Sequence, residues 1–175
     1  MSTPLKDLFD PWRAVDNHAV LVGRQPLSSL PRVRGLLLDA EGDASFRLAF
    51  FRDETHRAVL RCEVAATLRL RCQRCLEVLD HRVDANTLLA LVSSIDEERE
   101  LPDRYDPLMV SDKPMRPRDL IEDELLLALP QIPMHDPVVC AKHLPDLNAV
   151  QSGSSRASPF AVLAEFKGDG KGRIP

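Results

Sequence analysis

A two-residue alternation over positions 58–72 constrains this chain more than any other feature of its sequence. The odd positions are mostly polar or charged, whereas the even positions are all apolar or cysteine: Ala58, Leu60, Cys62, Val64, Ala66, Leu68, Leu70 and Cys72. A period of two is that of an extended strand with one buried and one solvent-facing side. The alternation runs into a Cys-x-x-Cys motif at 72–75 and an extended run follows. A long β-hairpin is therefore predicted at the centre of the chain.

Shorter elements are predicted on either side of this hairpin. Short apolar stretches and turn residues predict strands at 20–23, 35–39, 45–52 and 107–110 and a short helix near 28–33. Residues 118–129 are predicted to form the main helix, because Pro117 suits a first turn and Pro130 ends the apolar pattern. At about 3.3 Å per residue the central strand would span roughly 50 Å, so a bend or bulge is expected at Ala65–Ala66. The predicted fold class is α+β, a curled antiparallel β-sheet (partial barrel) packed by one main helix, with short peripheral helices.

Length and composition favour one soluble domain within the 175 residues. The predicted organisation is an N-terminal segment at 1–14, a domain at 15–147, a flexible linker at 148–158 and an amphipathic C-terminal segment with a tail at 159–175. No apolar run approaches the roughly 18 residues of a membrane span, and no signal peptide is seen. These features predict a cytoplasmic protein that does not contact a membrane.

The four cysteines do not have the spacing of a secreted disulfide framework. Two thiolates at the spacing of Cys72 and Cys75 can bind one tetrahedral zinc ion, and a second pair of ligands is then required. That pair is either His135 with Cys140 or Cys140 with His143. The alternative is that the cysteines are ordinary core or turn residues. A thioredoxin-type redox pair is disfavoured, because no helix begins after the motif.

Arginines follow the outward face of the predicted hairpin and define the arginine stripe: Arg57, Arg61, Arg69, Arg71, Arg74 and Arg82. At two-residue spacing such side chains can follow a phosphate backbone. Arginine-rich codon usage is an equally good explanation. The stripe also contains no aromatic residue for base stacking, and the whole chain has a net charge of −4.

No catalytic set is evident in the sequence, because the Gly-rich phosphate loop, the nucleophile elbow and the His-Glu-x-x-His motif are all absent. We therefore predict a non-enzymatic protein without a small-molecule substrate. Residues 93–175 carry 10 basic and 15 acidic side chains, which suits a basic protein partner. The candidate partner-binding residues are Glu122, Asp123 and Glu124 of the main helix and Phe160 and Leu163 of the C-terminal segment. The simpler interpretation of the three carboxylates is that they are solvated and match the helix dipole.

Several of these stretches together resemble one known family. They are the Arg-Cys-Gln-Arg-Cys-Leu motif at 71–76, Leu101-Pro102, the Ile-Glu-Asp-Glu-Leu run from 121, Ile132 to His135 and the Pro-Phe-Ala-Val-Leu-Ala run from 159. This combination resembles the bacterial YceD family, the large ribosomal RNA subunit accumulation proteins, over about residues 15–167.

The resemblance implies a cytoplasmic, non-enzymatic factor for accumulation or processing of large-subunit (23S) ribosomal RNA. Binding to that RNA or to an early large-subunit ribosomal protein would account for this role. Some family members carry more cysteines after the proline-rich stretch and look like zinc binders. This chain has only Cys140 there, so a four-ligand site needs His135 or His143.

Overall fold

A computed structural model describes residues 8–111 and 113–144 of the chain. The chain divides into two compact units, 1–142 and 143–175, and every element described here lies in the first. In chain order the elements are α1 (Pro11–Asp16), β1 (Val20–Pro26), a 3-10 turn (Leu27–Ser29), α2 (Pro31–Arg34), β2 (Asp43–Arg52), β3 (Ala58–Arg71), β4 (Val78–Val92), α3 (Ile95–Arg99), β5 (Asp106–Met109), α4 (Pro117–Ala128) and α5 (Pro137–Ala141).

The strands form one open five-stranded sheet in the order β1-β2-β3-β4-β5. The first four strands pair antiparallel, as predicted, whereas β5 pairs parallel to the end of β4. The structure is therefore an open, mostly antiparallel sheet with several short helices, which fits the α+β class, and it has one parallel edge that the sequence pattern did not indicate. The predicted curling into a partial barrel stays a prediction.

The even positions of β3 are inside, as the alternation predicts. Leu60, Cys62, Val64 and Leu68 are at most 1% exposed and belong to the main core. Helices α1 and α4 cover this side of the sheet, and α2 packs against α4. The opposite side, which we call the open face, presents the odd positions of β3 and the even positions of β4, because residues opposite each other in antiparallel strands share a face. At one end this side is covered, since Val59 and Ala90 are buried in a second apolar cluster with Tyr105.

Two predicted features of the backbone are wrong. Residues 35–39 form no strand: Leu36 N–H donates to the carbonyl of Val33 in the turn after α2, and β1 takes the place beside β2. β3 contains no bulge at Ala65–Ala66, since its register with β4 is continuous from Val59 to Arg71. Ala65 instead lies at depressions of the open face, where its small side chain leaves space unfilled, whereas Ala66 packs against the main core.

The acidic run after β4 is exposed and forms the short helix α3. Ser94 caps α3 by accepting the N–H of Glu97 at 3.3 Å, and three acidic side chains occupy its first turn. Within the described residues, no helix is both long enough and apolar enough to cross a membrane.

Candidate metal centre and open sheet face

The Cys-x-x-Cys motif forms the tight turn between β3 and β4. Cys72 N–H donates to the carbonyl of Glu77 at 2.9 Å, and Leu76 N–H donates to the carbonyl of Cys72 at 3.0 Å. Leu76 has a φ of 64°, which lies in the left-handed region that branched side chains avoid. The turn therefore places both cysteines on the same side of the hairpin end, and the backbone of Leu76 bears the conformational cost.

The segment between α4 and α5 supplies one further ligand atom to this turn, from His135, and α5 supplies another, from Cys140. Gln73 N–H donates to the carbonyl of Pro133 at 2.8 Å, which fixes that segment beside the hairpin. The Sγ atoms of Cys72 and Cys140 are 3.5 Å apart, and Cys75 Sγ lies 3.4 Å from His135 Nδ1. The four donor atoms all lie within 4.8 Å of one another. Of the two predicted ligand pairs, the structure brings His135 with Cys140 to the Cys-x-x-Cys motif.

Backbone N–H groups point at one sulfur of the cluster, that of Cys72. Arg74 N–H and His135 N–H donate to Cys72 Sγ at 3.5 and 3.4 Å. Burial of the sulfur raises the pKa of Cys72, but the N–H groups of Cys75, His135 and Arg74 outweigh burial and hold that pKa at about 5. Burial raises the pKa of Cys140 to about 11, and the neighbouring sulfurs of Cys72 and Cys75 add to this effect. The backbone therefore favours at least one thiolate in the cluster.

The imidazole of His135 is oriented from its far side. Its Nε2 atom lies 2.9 Å from the carbonyl oxygen of Val78, whereas its Nδ1 atom faces the cysteines. A proton on Nε2, donated to Val78, leaves the Nδ1 lone pair available for a metal ion. Metal-binding histidines usually make such a hydrogen bond through their other ring nitrogen. The remaining cysteine, Cys62, is buried in the core away from this cluster, and burial raises its pKa to about 12.

Four members of the arginine stripe lie on the open face. Arg61, Arg69 and Arg71 project from β3, and Arg82 of β4 is opposite Thr67. Arg69 is held by carboxylates, at 2.6 Å from Asp39 and 3.8 Å from Asp80. The predicted stripe therefore exists as a surface, but Arg69 is already ion-paired.

The other two arginines of the stripe lie at its ends. The Arg57 guanidinium is 5.9 Å from the ring centre of Tyr105, close to the start of β3. Arg74 lies in the Cys-x-x-Cys turn, with its guanidinium 3.7 Å from Met134 Sδ.

The structure adds two arginines and one aromatic ring that the stripe did not include. Arg24 of β1 and Arg47 of β2 line a depression of about 640 Å³ on the open face. The Arg61 guanidinium lies over Phe51 of β2, 5.9 Å from the ring centre. The alternation of β2 in the sequence already predicts that Arg47 faces away from its buried neighbours. That β1 and Phe51 also contribute side chains to the open face follows only from the strand pairing. Glu63 and Asp84 line the same depression, so this face carries both signs of charge.

The three consecutive acidic side chains of α4 make contacts within the protein. Glu122 accepts N–H donors from Arg32 and Val33 at 2.6 and 3.1 Å, and Glu124 accepts the hydroxyl of Thr87 at 2.7 Å. Both carboxylates are at least 95% buried, so the interpretation of them as solvated residues is wrong. Asp123 remains half exposed and pairs with Arg32 at 2.7 Å.

A role of this helix in partner binding stays a prediction, for which Asp123 offers the accessible carboxylate. Phe160 and Leu163 lie outside the described residues.

Comparison with known proteins identifies the family. The model of the family described as large ribosomal RNA subunit accumulation protein YceD matches residues 60–167. A protein of Haemophilus influenzae with the same name is 29% identical over 164 residues, which cover 90% of this chain and 93% of the relative. No solved structure matches. Because the family model spans more than half of the chain, including the hairpin and α4, this protein belongs to the YceD family.

Proposed function

We propose that this protein promotes the accumulation of large-subunit ribosomal RNA in the cytoplasm by binding that RNA directly, without catalysis. The family name supplies the link to this RNA. The observation that carries the mode of action is the open face, where arginines from four adjacent strands lie on one side of the sheet.

The arrangement of these side chains suits a nucleic acid. From Arg61 to Arg71 the strand advances roughly 33 Å, a distance over which an RNA strand presents several phosphates. Phosphate contacts of this kind position a strand without reading its sequence. Glu63, which pairs with Arg47 at 3.5 Å, and Asp84 place negative charge beside these arginines, which limits purely non-specific binding.

Salt-dependent binding to large-subunit ribosomal RNA fragments tests this proposal. The variant Arg61→Glu/Arg71→Glu leaves the ion-paired Arg69 in place, so the fold keeps its contact with Asp39. We expect affinity that falls steeply with salt in the wild type, and a loss of at least about tenfold in the variant. Arg13→Glu on α1, a highly exposed site on the covered side, is the matched control and should bind as the wild type does.

An absence of RNA binding by the wild-type protein would contradict direct contact. It would favour the alternative, in which the protein acts by binding an early large-subunit ribosomal protein through Asp123 and the C-terminal segment. Equal losses in the Arg13 control and the open-face variant would also contradict the assignment of the binding surface.

We further propose that the cluster holds a structural zinc ion, with Cys72, Cys75, Cys140 and His135 as ligands. Sulfurs about 2.3 Å from one tetrahedral ion lie about 3.8 Å apart, close to the observed 3.5 Å between Cys72 and Cys140. Three sulfurs and one imidazole are a common ligand set for structural zinc. Bound zinc would tie the segment before α5 to the β3–β4 hairpin and leave no open position for substrate.

Metal content of the purified protein tests the zinc site. We expect about one equivalent of zinc in the wild type, and loss of it in Cys75→Ser and Cys140→Ser. Cys62→Ala is the matched control, because this cysteine is buried in the core outside the cluster and its removal should leave the zinc in place. A fully folded wild-type protein without metal, even after incubation with zinc, would contradict the site.

A further inference from the structure

The residue that follows the Cys-x-x-Cys turn is an exposed leucine in a strained conformation. Leu76 has a φ of 64°, which glycine adopts readily and a branched side chain does not. Its side chain is 65% exposed, so burial within the described structure does little to offset that strain. Bulky residues held in this region cluster at binding sites, where the surrounding structure fixes them. Leu76 therefore has the features of a contact residue.

Two other exposed apolar side chains lie in the segments that are hydrogen-bonded to or follow the Leu76 turn. Val78, at the start of β4, is linked to the segment after α4 through its carbonyl contact with His135. Met134 lies in that segment, next to the Pro133 carbonyl that accepts from the turn. We call Leu76, Val78 and Met134 the knuckle patch, and each of its members is at least 44% exposed.

Arginines flank the knuckle patch on two sides. Arg71 is directly opposite Val78 in the β3–β4 register and shares the open face with it. The Arg74 guanidinium lies 3.7 Å from Met134 Sδ. Glu77, between Leu76 and Val78, is an exposed carboxylate beside the patch. The knuckle patch thus adjoins the open face through Val78 and has arginines next to two of its members.

Apolar contact beside guanidinium groups suits an unpaired nucleotide. Its base offers an apolar face, and its phosphates offer the partner for arginine. A base within a duplex is stacked and hides that face. We propose that the knuckle patch binds an unpaired base of single-stranded RNA, with Arg71 and Arg74 contacting its flanking phosphates. This inference rests on the proposed RNA-binding function and adds a preference for unpaired segments.

Fluorescence anisotropy with the full-length protein tests this inference. The probes are a labelled RNA of mixed sequence, about twelve nucleotides long, and the same strand annealed to its complement. The informative variant is Leu76→Gly, because glycine fits the observed φ and should leave the thermal midpoint unchanged or higher. We expect it to bind the single strand about fivefold more weakly and the duplex equally well. Ile95→Ala, at a 63% exposed position on α3, is the control and should change neither affinity.

The outcomes separate this inference from the proposed function. If the wild type binds neither probe, direct RNA binding fails and the inference fails with it. If the wild type binds RNA and Leu76→Gly binds each probe as tightly as the wild type does, only the inference is overturned. Equal weakening on single strand and duplex would also overturn it, since the leucine would then serve the arginine face as a whole.

Discussion

Glu122 offers a sharp test of how this fold is held together. It belongs to α4, but its carboxylate caps the start of α2, at a sequence separation of 90 residues. Two backbone N–H groups, of Arg32 and Val33, donate to its Oε1 atom, and Arg32 Nε donates to Oε2 at 3.1 Å. The side chain is 4% exposed, so water cannot replace these bonds. The perturbation is Glu122→Gln, which keeps the shape and removes the charge.

The expected cost follows from the two backbone bonds. A hydrogen bond to a charged group contributes about 1.5–3 kcal/mol and a neutral one about 0.5–1.5 kcal/mol, so each bond loses about 1 kcal/mol. The Arg32 side chain is half exposed, and solvent screening leaves its ion pair out of the sum. We expect the free energy of unfolding to fall by about 2 kcal/mol.

Guanidinium denaturation followed by circular dichroism measures this change. The matched control is Asp123→Asn, the next residue, which pairs with the same arginine from a position that is 54% exposed. We expect no measurable loss there, because exposed ion pairs contribute little. A cost for Glu122→Gln no larger than that of Asp123→Asn would refute the argument that burial of the cap, rather than its charge alone, stabilises the fold.

Two further predictions concern pH. Burial raises the pKa of Asp53, but hydrogen-bond donors from Thr55, Arg57 and Tyr105 outweigh burial and hold that pKa at about 2. The contribution of this carboxylate to the free energy of unfolding is therefore complete above the ordinary pKa of 3.8 and is lost as pH falls towards 2. Asp53→Asn should cost about 1–2 kcal/mol at neutral pH and flatten the acid limb of the stability curve; an unchanged acid limb would contradict this. Burial raises the pKa of Glu124 above 4.5, and this effect exceeds the lowering by the hydroxyl of Thr87. The stability that the protonated carboxyl contributes is therefore complete below pH 4.5 and declines as pH rises through the folded-state pKa. Thermal midpoints of Glu124→Gln should decline less with rising pH than those of the wild type, and parallel profiles would count against the burial argument.

Local patterns in the sequence predicted much of the sheet. The alternation at 58–72 gives both faces of β3 because side-chain direction in a strand depends on position parity alone. The same parity placed Arg61, Arg69 and Arg71 on one surface. The helix at 117–128 was also predictable, because proline and the acidic first half mark its start.

The strand partners were not predictable in the same way. The apolar run at 35–39 is compatible with a strand, but those residues turn after α2, and β1 takes the edge position. The parallel pairing of β5 with β4 likewise depends on how the 93–105 connection folds back. Such choices depend on packing between segments distant in sequence, which local propensity does not encode.

Local sequence patterns suffice to predict the hairpin, its two faces and the Cys-x-x-Cys turn, because each depends on neighbours a few residues apart. The approach of His135 and Cys140 to this turn follows from the folded chain alone, since Cys72 and Cys140 are separated by 68 residues. The tertiary structure also decides that Glu122 and Glu124 are buried while Asp123 is exposed. Three consecutive carboxylates look alike in sequence, and packing of α4 against the sheet and α2 distinguishes them, because a helix turns about 100° per residue.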